Sequence, residues 1–567
     1  MTHISARALI GPNLYTSGPA AVAEVEPMQE VAGLAEAIVH EHRALTCALG
    51  WAPVDLLQRP YTRADGGPGL CLAAPSPVDR IEAAAILLER AIRRALNISE
   101  SSITADLEAI RAEEADERRS PQLRALVEAA AARRVPNLLD ENAFTLGQGV
   151  RGKTWPIEQL PAPAEVPWDS LGTIPIALIT GTNGKTTSTR LLARIARHAG
   201  FCVGNTSTDG VVIDEVLIEP GDWTGPGATR MALRRPDVDF AALEIARGGL
   251  LRRGLVLDRV DAALITNISD DHLGDYGIMD LQAMAQVKAI IGSVVHSEGR
   301  IVMGADSAPL RTVDTSRLRA PIVWFALSRD NPTLRSHLED GGEGWYVAEG
   351  ELVRADRLGE RPLTRVSAIP CTYGGAARHN LLNALGVAAL AQSLGIPDRA
   401  IADGLRSFRS TAEENPGRIN CYTLDGVTVV LDFAHNNAGI TALGELLHAL
   451  RKDGRLTVAF GMPGDRSEDD LRQLSRSLAG MRPDEVLLRD QKAHLRGRAR
   501  GEVPAILRRG LREEGLAQAA LIDVDDEIES IDRTLAQAEP GDLLAILAHT
   551  QRDEVVAHLE KLGAQPL

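Results

Sequence analysis

The sequence predicts an α/β protein with two domains built on parallel sheets, preceded by a smaller α+β domain. Three observations lead there. From residue 174 onward, apolar β-type runs alternate with segments of helical spacing, and runs buried on both faces are the habit of a parallel sheet covered by helices. One run ends in a glycine-bearing turn, "GTNGKTT" (181–187), that opens a helix. The chain's 567 residues also exceed what one hydrophobic core serves, so length suggests about three or four domains.

Taken in order, residues 1–160 hold "IEAAAILLERAIRRALN" and "SPQLRALVEAAAARR", where apolar and basic residues alternate at helical spacing. They predict surface-packed helices in an amino-terminal domain without a catalytic cluster. The proline-rich stretch "PIEQLPAPAEVPWDSLG" (156–172) reads as a linker. A central domain over 172–412 follows, with strands expected in "IPIALIT" (174–180), "DFAALEIA" (239–246), "VDAALITN" (260–267) and "GRIVMG" (299–304). A loop around "RSTAEENPGR" (409–418) leads to the last domain, 413–567, where "VTVVLDFAH", "RLTVAFG", "DEVLLRD", "AALIDV" and "DLLAILAH" repeat the rhythm.

Composition narrows the function. The 61 basic and 77 acidic residues give a net charge of −16, which argues against a polyphosphate backbone as the main partner. An anionic substrate must then meet a local basic site. Cys47, Cys71, Cys202, Cys371 and Cys421 form no C-x-x-C pair, against a disulfide framework or a zinc site. They read as reduced core thiols. No leader and no apolar window of about 20 residues is seen. The expectation is a cytoplasmic homo-oligomer with small-molecule partners, and no nucleic-acid or membrane partner.

A loop between a buried strand and a helix cradles phosphate because its backbone N–H groups and the helix terminus point at one anion. Gly181 and Gly184 permit the tight path, Lys185 can reach the β- and γ-phosphates, and Thr186 offers a hydroxyl to Mg²⁺. In the helix that follows, Leu191, Leu192, Ile195, Ala196 and Ala199 share one face, and Arg190, Arg194 and Arg197 are expected to look outward. The bland alternative is a glycine-rich turn with a solvated lysine. Ile179 stands where the longer G-x-x-x-x-G-K-[ST] pattern would want glycine.

The shortened form, Gly181, Thr182, Asn183, Gly184, Lys185, Thr186 and Thr187, resembles the phosphate loop of the Mur ligase superfamily. That superfamily includes folylpolyglutamate synthetases and the carboxyl-terminal half of cyanophycin synthetases. The resemblance implies a Mur-ligase-like central domain and a Rossmann-like carboxyl-terminal domain, with ATP and Mg²⁺ as cofactors. It places magnesium on Thr186, Glu244 and His272, the last in the cluster Asn267, Asp271, His272. Lys288 in "MAQVKAIIG" matches the lysine that many such ligases carbamylate. Asn380 and Asn383 in "ARHNLLNALGV" would face adenine. Arg418 would contact phosphate, and Asp432 with His435 would border the nucleotide and the incoming amine.

Other segments resemble the cyanophycin-synthetase branch: Thr-Gly-Pro at 224–226, Ala-Arg-Gly-Gly at 246–249, the "DQKAHLRGRARGEVPAILRRGL" loop and "IGPNLY" at 10–15. Together with the superfamily's carboxyl-terminal match at Asn436 and its Gly-Asp-Arg turn at Asp465 and Arg466, they imply substrate contacts at Arg247, Asn436, Asp465, Arg466, Arg496 and Arg498, with Arg500 nearby. Local readings stand beside these: a surface lysine at 288, an arginine partner for Glu244, an Asp465–Arg466 pair, and a solvated basic loop over 496–500. In full cyanophycin synthetases an ATP-grasp module follows the amino-terminal domain. Here "LRALVEAAAARRVPNLLDENAFTLGQGVRGK", which resembles that module's entrance, runs within about one linker into the phosphate loop. The implied activity is therefore a single ADP-forming carboxylate–amine ligation on an amino acid or small peptide, with condensation of β-aspartyl-arginine dipeptides the nearest case. The alternatives are an amide ligase building a small-molecule natural product, a non-catalytic nucleotide-binding scaffold and a partner-moving ATPase.

Overall fold

The computed structural model describes residues 2–27, 33–63, 65–118, 120–271 and 273–567. Among these, the amino-terminal part is an antiparallel sheet in the order His3–Leu9, Ala20–Glu26, Pro68–Pro75, Leu57–Thr62. One face packs Ala21, Val25 and Leu72 against Ile38, Leu88 and Ile92 of the helices Leu34–Ala48 and Ile81–Ala95. The other face, with Leu9, Ala20, Val22 and Ala73, is covered by Tyr15 of the "IGPNLY" segment. A small antiparallel sheet, Asn137–Leu139, Ala143–Leu146 and Lys153–Pro156, comes next.

The proline-rich stretch is not an open linker. Val166 and Leu171 are buried with Leu126, Phe144 and Leu146, and the Arg133 guanidinium lies 4.6 Å from the Trp168 ring centroid. Prolines break this stretch into 3₁₀ turns at Ile157–Gln159, Pro163–Glu165 and Trp168–Ser170, whose apolar side chains fold back onto the helix Pro121–Arg133. Arg234 of the central domain holds this unit through Asp140, the Ala143 carbonyl at 3.0 Å and Thr145 Oγ1 at 3.0 Å.

Among the described residues the central sheet runs, in spatial order, Val216–Pro220, Gly210–Ile213, Val203–Ser207, Phe240–Glu244, Ile176–Thr180, Val260–Ile265, Val295–Gly304, Ile322–Ser328, Glu343–Ala348, Glu351–Asp356 and Gly359–Arg365. From Val203–Ser207 to Glu343–Ala348 neighbouring strands are parallel. Antiparallel hairpins extend both edges. Ile176–Thr180 and Phe240–Glu244 are buried along their whole lengths, because helices cover both faces. The last domain repeats the pattern, with parallel strands Leu521–Asp523, Glu485–Leu488, Leu456–Phe460, Leu543–Leu547 and Val427–Asp432. Segments that follow the strands Ile176–Thr180 and Val260–Ile265 meet segments that follow Val427–Asp432 and Leu456–Phe460, through Asn183 with Asn436 and Asp271 with His435 and Arg466.

The helix Lys185–His198 buries Leu191, Leu192, Ile195 and Ala196 as its spacing predicts. Its polar face is not solvated as expected. Arg190 donates to Asp209 Oδ2 at 3.0 Å and to the Glu414 carbonyl at 3.3 Å, and Arg194 meets Glu414 at 3.1 Å. Arg197 pairs with Glu215 at 2.9 Å. The arginines face outward from this helix only to meet acidic groups of neighbouring segments, Glu414 among them in the interdomain loop.

In the last domain, Arg489 and Glu527 form an ion pair with exposures of 2% and 0%. Arg489 also donates to the Leu547 carbonyl at 2.7 Å, and Glu527 accepts from the backbone N–H groups of His549 at 3.0 Å and Gln551 at 2.7 Å. The pair ties the ends of two parallel strands to a helix. Burial pushes the Glu527 carboxyl up, but Arg489 and the backbone donors outweigh it and hold the group below its ordinary range. Glu527→Ala, which strands a buried guanidinium, is expected to cost about 3–5 kcal/mol, read by chemical denaturation at neutral pH. Because the folded value is depressed, this stabilisation is present above the ordinary glutamate range and is lost as pH falls through the folded value. The gap between wild type and variant should narrow in acid.

Candidate active site

The phosphate loop leaves the strand Ile176–Thr180 and enters the helix Lys185–His198. Gly181 (φ 155°) and Gly184 (φ 84°) take conformations that suit glycine. A Cβ on Gly181 would overlap Thr266 Oγ1, and one on Gly184 would overlap Asn383 Oδ1. Asn267 braces the loop from the neighbouring strand end. Its Oδ1 accepts from Asn183 N at 3.0 Å, its Nδ2 donates to Asn183 O at 3.0 Å, and its carbonyl accepts from Thr182 N at 2.8 Å. Lys185 Nζ folds over the loop onto the Gly181 and Thr182 carbonyls, at 3.1 and 2.9 Å. Thr187 Oγ1 accepts from the buried Asn415 amide at 3.3 Å.

Thr186 Oγ1 donates to Glu244 Oε2 at 2.9 Å and lies 3.2 Å from Thr208 Oγ1. Glu244 is 1% exposed, and its Oε1 has no hydrogen-bond partner among the described residues. Burial raises its carboxyl above the usual range, only partly offset by Lys185, the Thr186 hydroxyl and Arg418. A hydroxyl-bonded carboxylate with one idle buried oxygen is a fitting donor for a hard divalent cation, which would supply the missing charge. The arginine-partner reading of Glu244 fails, since a hydroxyl takes that place. Among the described residues no three His, Cys, Asp or Glu side chains gather to hold a metal. His272 lies outside the described residues.

Lys288 is no surface lysine. It is 4% exposed, its Nζ donates to the Gly181 carbonyl at 2.8 Å, and burial, then the nearby Lys185, push its ammonium well below the ordinary lysine range. Asn380 donates to the Cys371 carbonyl at 2.8 Å and accepts from Asn383 at 3.2 Å, so its amide is engaged at both ends. In this arrangement Asn383, held by Asn380, packs against Gly184 from the helix Arg378–Ser393.

The carboxyl-terminal domain reaches the loop through polar side chains. Asn436, the amino-terminal cap of the helix Asn437–Leu450, exchanges two amide hydrogen bonds with Asn183, each 3.1 Å. Asp271 meets His435 Nε2 at 3.7 Å and Arg466 at 3.4 Å. His435 Nδ1 lies 3.0 Å from the Phe433 carbonyl, and the Arg418 guanidinium stacks 4.5 Å from the Phe433 ring centroid. Asp432 accepts from Ile419 N at 2.9 Å and Ala434 N at 2.8 Å; burial raises its carboxyl despite Arg418.

The arginine loop and the Gly-Asp-Arg turn come together but are largely satisfied within the protein. Arg496 pairs with Asp465, while Arg498 donates to the Gly464 and Arg466 carbonyls at 2.9 and 3.0 Å and to Glu502 at 2.6 Å. Arg500 pairs with Asp525 at 2.7 Å. Asp465 and Arg466 thus bond different partners rather than each other. Arg247 donates to Asp275 at 2.8 Å on the central-domain side.

Sequence reasoning missed Thr208, Asp209, Asn415 and Arg552. Asp209 accepts from Arg190, and from Arg552 at 2.5 Å across the domain seam. Burial would raise its carboxyl, but Arg190, Arg418 and Arg552 hold it below the ordinary range. The sequence signal was the acidic residue directly after the polar end of an apolar run, "VGNTSTD".

This loop, strand-end carboxylate and closing second α/β domain define the class: the chain belongs to the Mur ligase family. The family model described as the Mur ligase middle domain matches residues 179–391, and the one described as the Mur ligase glutamate ligase domain matches 417–549. Among curated proteins, the chain is 37% identical to the cyanophycin synthetase of Crocosphaera subtropica over 67% of this chain and 43% of that protein. It is 26% identical to the UDP-N-acetylmuramoyl-L-alanyl-D-glutamate--2,6-diaminopimelate ligase of Brucella melitensis biotype 1, over 65% of this chain and 71% of that one. The chain thus spans less than half the length of the cyanophycin synthetase it matches. Among solved structures, E. coli FolC with ADP superposes with a TM-score of 0.50 at 19% identity, covering 68% of this chain and 89% of that one, a likeness of fold.

The Arg552–Asp209 pair is part-exposed at 30% and 14%, so its worth is discounted for solvent screening. A double-mutant cycle of Arg552→Ala with Asp209→Asn should return about 1 kcal/mol of coupling in thermal unfolding. Additive losses would show that the contact does not join the domains.

Proposed function

We propose that the chain is an ATP-dependent carboxylate–amine ligase, ADP-forming, that makes an amide or isopeptide bond on an amino acid or small peptide. The observation that carries this reading is the phosphate loop with Lys185 folded over it and Glu244 beside Thr186, one carboxylate oxygen idle. A carboxylate does not acylate an amine unaided, because oxide is a poor leaving group. Transfer of a phosphoryl group forms a new O–P bond on the carboxylate and breaks the bond to ADP. The amine nitrogen then attacks the acyl carbon, phosphate departs, and one proton must be taken from nitrogen.

The chain's own groups fit these demands. Gly181 to Thr187 cradle the phosphates with Asn267 behind them, and Lys185 offers a charge to the moving phosphoryl. Thr186 and Glu244, with His272 by family resemblance, would hold Mg²⁺, which when bound neutralises phosphate charge. Arg418, set by its stack on Phe433, offers a guanidinium to phosphate, while Asp432, Asn380 and Asn383 shape the nucleotide's surroundings. With Nδ1 against the Phe433 carbonyl, His435 has Nε2 left to hold the amine proton, and Asp271 faces that nitrogen. The depressed ammonium of Lys288 favours the neutral amine that carbamylation requires. Arg247, Asn436, Asp465, Arg466, Arg496 and Arg498 ring the acceptor side. Closure of the last domain excludes water from the acyl phosphate.

For the substrate, the similarity to cyanophycin synthetases and the short path from the amino-terminal domain to the phosphate loop support condensation of preformed β-aspartyl-arginine dipeptides. A ligase building a small-molecule natural product is the second reading. The intact Lys185, Thr186 and Glu244 set weighs against a non-catalytic scaffold. Lys185→Ala is expected to abolish substrate-dependent ADP release while the thermal midpoint stays, since the loop's glycines and flanking core do not depend on the ammonium. Near-normal ADP release by that variant would overturn the nucleotide assignment. The substrate is decided by incubating the protein with ATP, Mg²⁺ and a panel of amino acids and dipeptides, reading ADP and product mass. β-Aspartyl-arginine is expected to give oligomers; ADP release only with a single amino acid and another amine would favour the small-molecule ligase.

A further inference from the structure

We propose that the amino-terminal four-stranded sheet is a positioning module: it clasps the two central-domain segments that carry Arg247 and the turn after Asp271, and so sets the acceptor side of the site. The word acceptor rests on the ligase reading above; the clasp rests on contacts alone. The first grip is on the helix Arg247–Arg253, which begins three residues beyond Glu244. Ile10 N donates to the Arg253 carbonyl at 2.9 Å, Leu255 N donates to the Pro12 carbonyl at 2.9 Å, and Arg7 Nε donates to the Leu251 carbonyl at 2.7 Å. Gly11 sits between the two backbone bonds, and a Cβ there would overlap the Leu255 carbonyl oxygen. The "IGPNLY" segment is therefore laid flat on the central domain because residue 11 carries no side chain.

Arg317 secures the same segment from the far side. Its guanidinium donates to the carbonyls of Asn13 and Leu14, each at 3.0 Å, and of Thr16 at 2.8 Å. One planar fork holding three carbonyls of the same turn fixes orientation as well as distance.

The second grip is on the turn at 274–278, a few residues beyond Asp271. The Arg7 guanidinium lies 4.7 Å from the Tyr276 ring centroid and is itself held by Glu24, with Nη2 to Oε1 at 2.7 Å. A Cβ on Gly277 (φ 68°) would come within 2.8 Å of Cys71 Sγ. Between the two gripped segments runs the Arg247–Asp275 contact at 2.8 Å. Arg7 touches both segments at once, so the sheet sets their spacing, and that spacing sets where Arg247 and Asp271 stand. The phosphate loop bonds Ser269, two residues before Asp271, through Thr182 Oγ1 at 3.1 and 3.3 Å, and Ser269 lies outside both gripped segments. Nucleotide affinity should therefore be indifferent to the clasp.

The test uses the full chain. Gly11→Ala drives a methyl wedge into the dock, and Gly18→Ala, whose Cβ would meet nothing within 4 Å, is its control. Hydrogen exchange without ligand should quicken about 10-fold or more in 247–255 and 273–278 for Gly11→Ala and for Arg317→Ala, with 176–190 unchanged. Arg317→Lys should restore part of the protection, and Gly18→Ala should match wild type. ADP affinity should stay within about twofold throughout, since the loop's own contacts are untouched. In steady state with β-aspartyl-arginine and ATP, KM for the dipeptide should rise about 10-fold while KM for ATP holds. Exchange that is unchanged in both variants, confined to residues 8–16, or raised alike in every domain would overturn the clasp. Wild type inert toward the dipeptide would sink the dipeptide reading alone, and exchange would still decide the clasp.

Discussion

The rest of the structure depends on one steric constraint: at residues 181 and 184 the backbone occupies space that a Cβ would need. Thr266 presses on the first position and Asn383 on the second. Thr266 directly follows the parallel strand Val260–Ile265 and Asn383 lies on the helix Arg378–Ser393, so the loop is held between two elements of the same domain. With the backbone confined, its N–H groups keep their direction, which is what an anion cradle needs. Neighbouring groups inherit that fixity. Thr186 is placed against Glu244, Asn267 against Asn183, and Lys185 over the carbonyls of the loop.

Charge is arranged on this scaffold so that no buried group is satisfied alone. Glu244 is buried with one oxygen bonded to a hydroxyl and the other idle. Lys288 is buried against the Gly181 carbonyl with a second ammonium nearby. Burial drives the first toward its neutral acid and the second toward its neutral amine. A polyanion would offset the charge of the lysines and a divalent cation that of the glutamate. The electrostatics of the loop therefore favour a polyanion and a divalent cation together over either by itself.

Much of this was legible in the sequence, and the reason is burial. Parallel strands covered on both faces must be apolar throughout, so runs such as those at 176–180 and 240–244 stand out without knowledge of their neighbours. The edge hairpins were not legible. Val216–Pro220 is apolar in composition yet exposed along its length, and Gly359–Arg365 is mostly polar, so neither shows the signature of its place in the sheet. The site divides the same way. Residues within the loop follow from local spacing, whereas Asn183 finds Asn436 at a separation of 253 positions and Asp209 finds Arg552 at 343. Periodicity carries no information over such distances. The arginines of the helix Lys185–His198 show the limit most directly, since helical spacing gives the face but not what covers it.

What covers that face links the phosphate loop's helix to the interdomain loop. Arg190 donates both to Asp209 and to the Glu414 carbonyl in the interdomain loop, and Arg194 pairs with Glu414 as well. Asn415, one residue on, reaches Thr187 in the first turn of the same helix. The helix that opens on the phosphate loop is thus also the platform on which the chain turns into its last domain. Asp209, shared by Arg190 and Arg552, adds a contact from the far end of that domain. A shift of the helix start by a fraction of an ångström would be felt at the turn and at the seam together, because closely packed elements transmit displacement rather than absorb it. The last domain needs no separate sensor of the loop, since its connection to the chain is built on the loop's own helix.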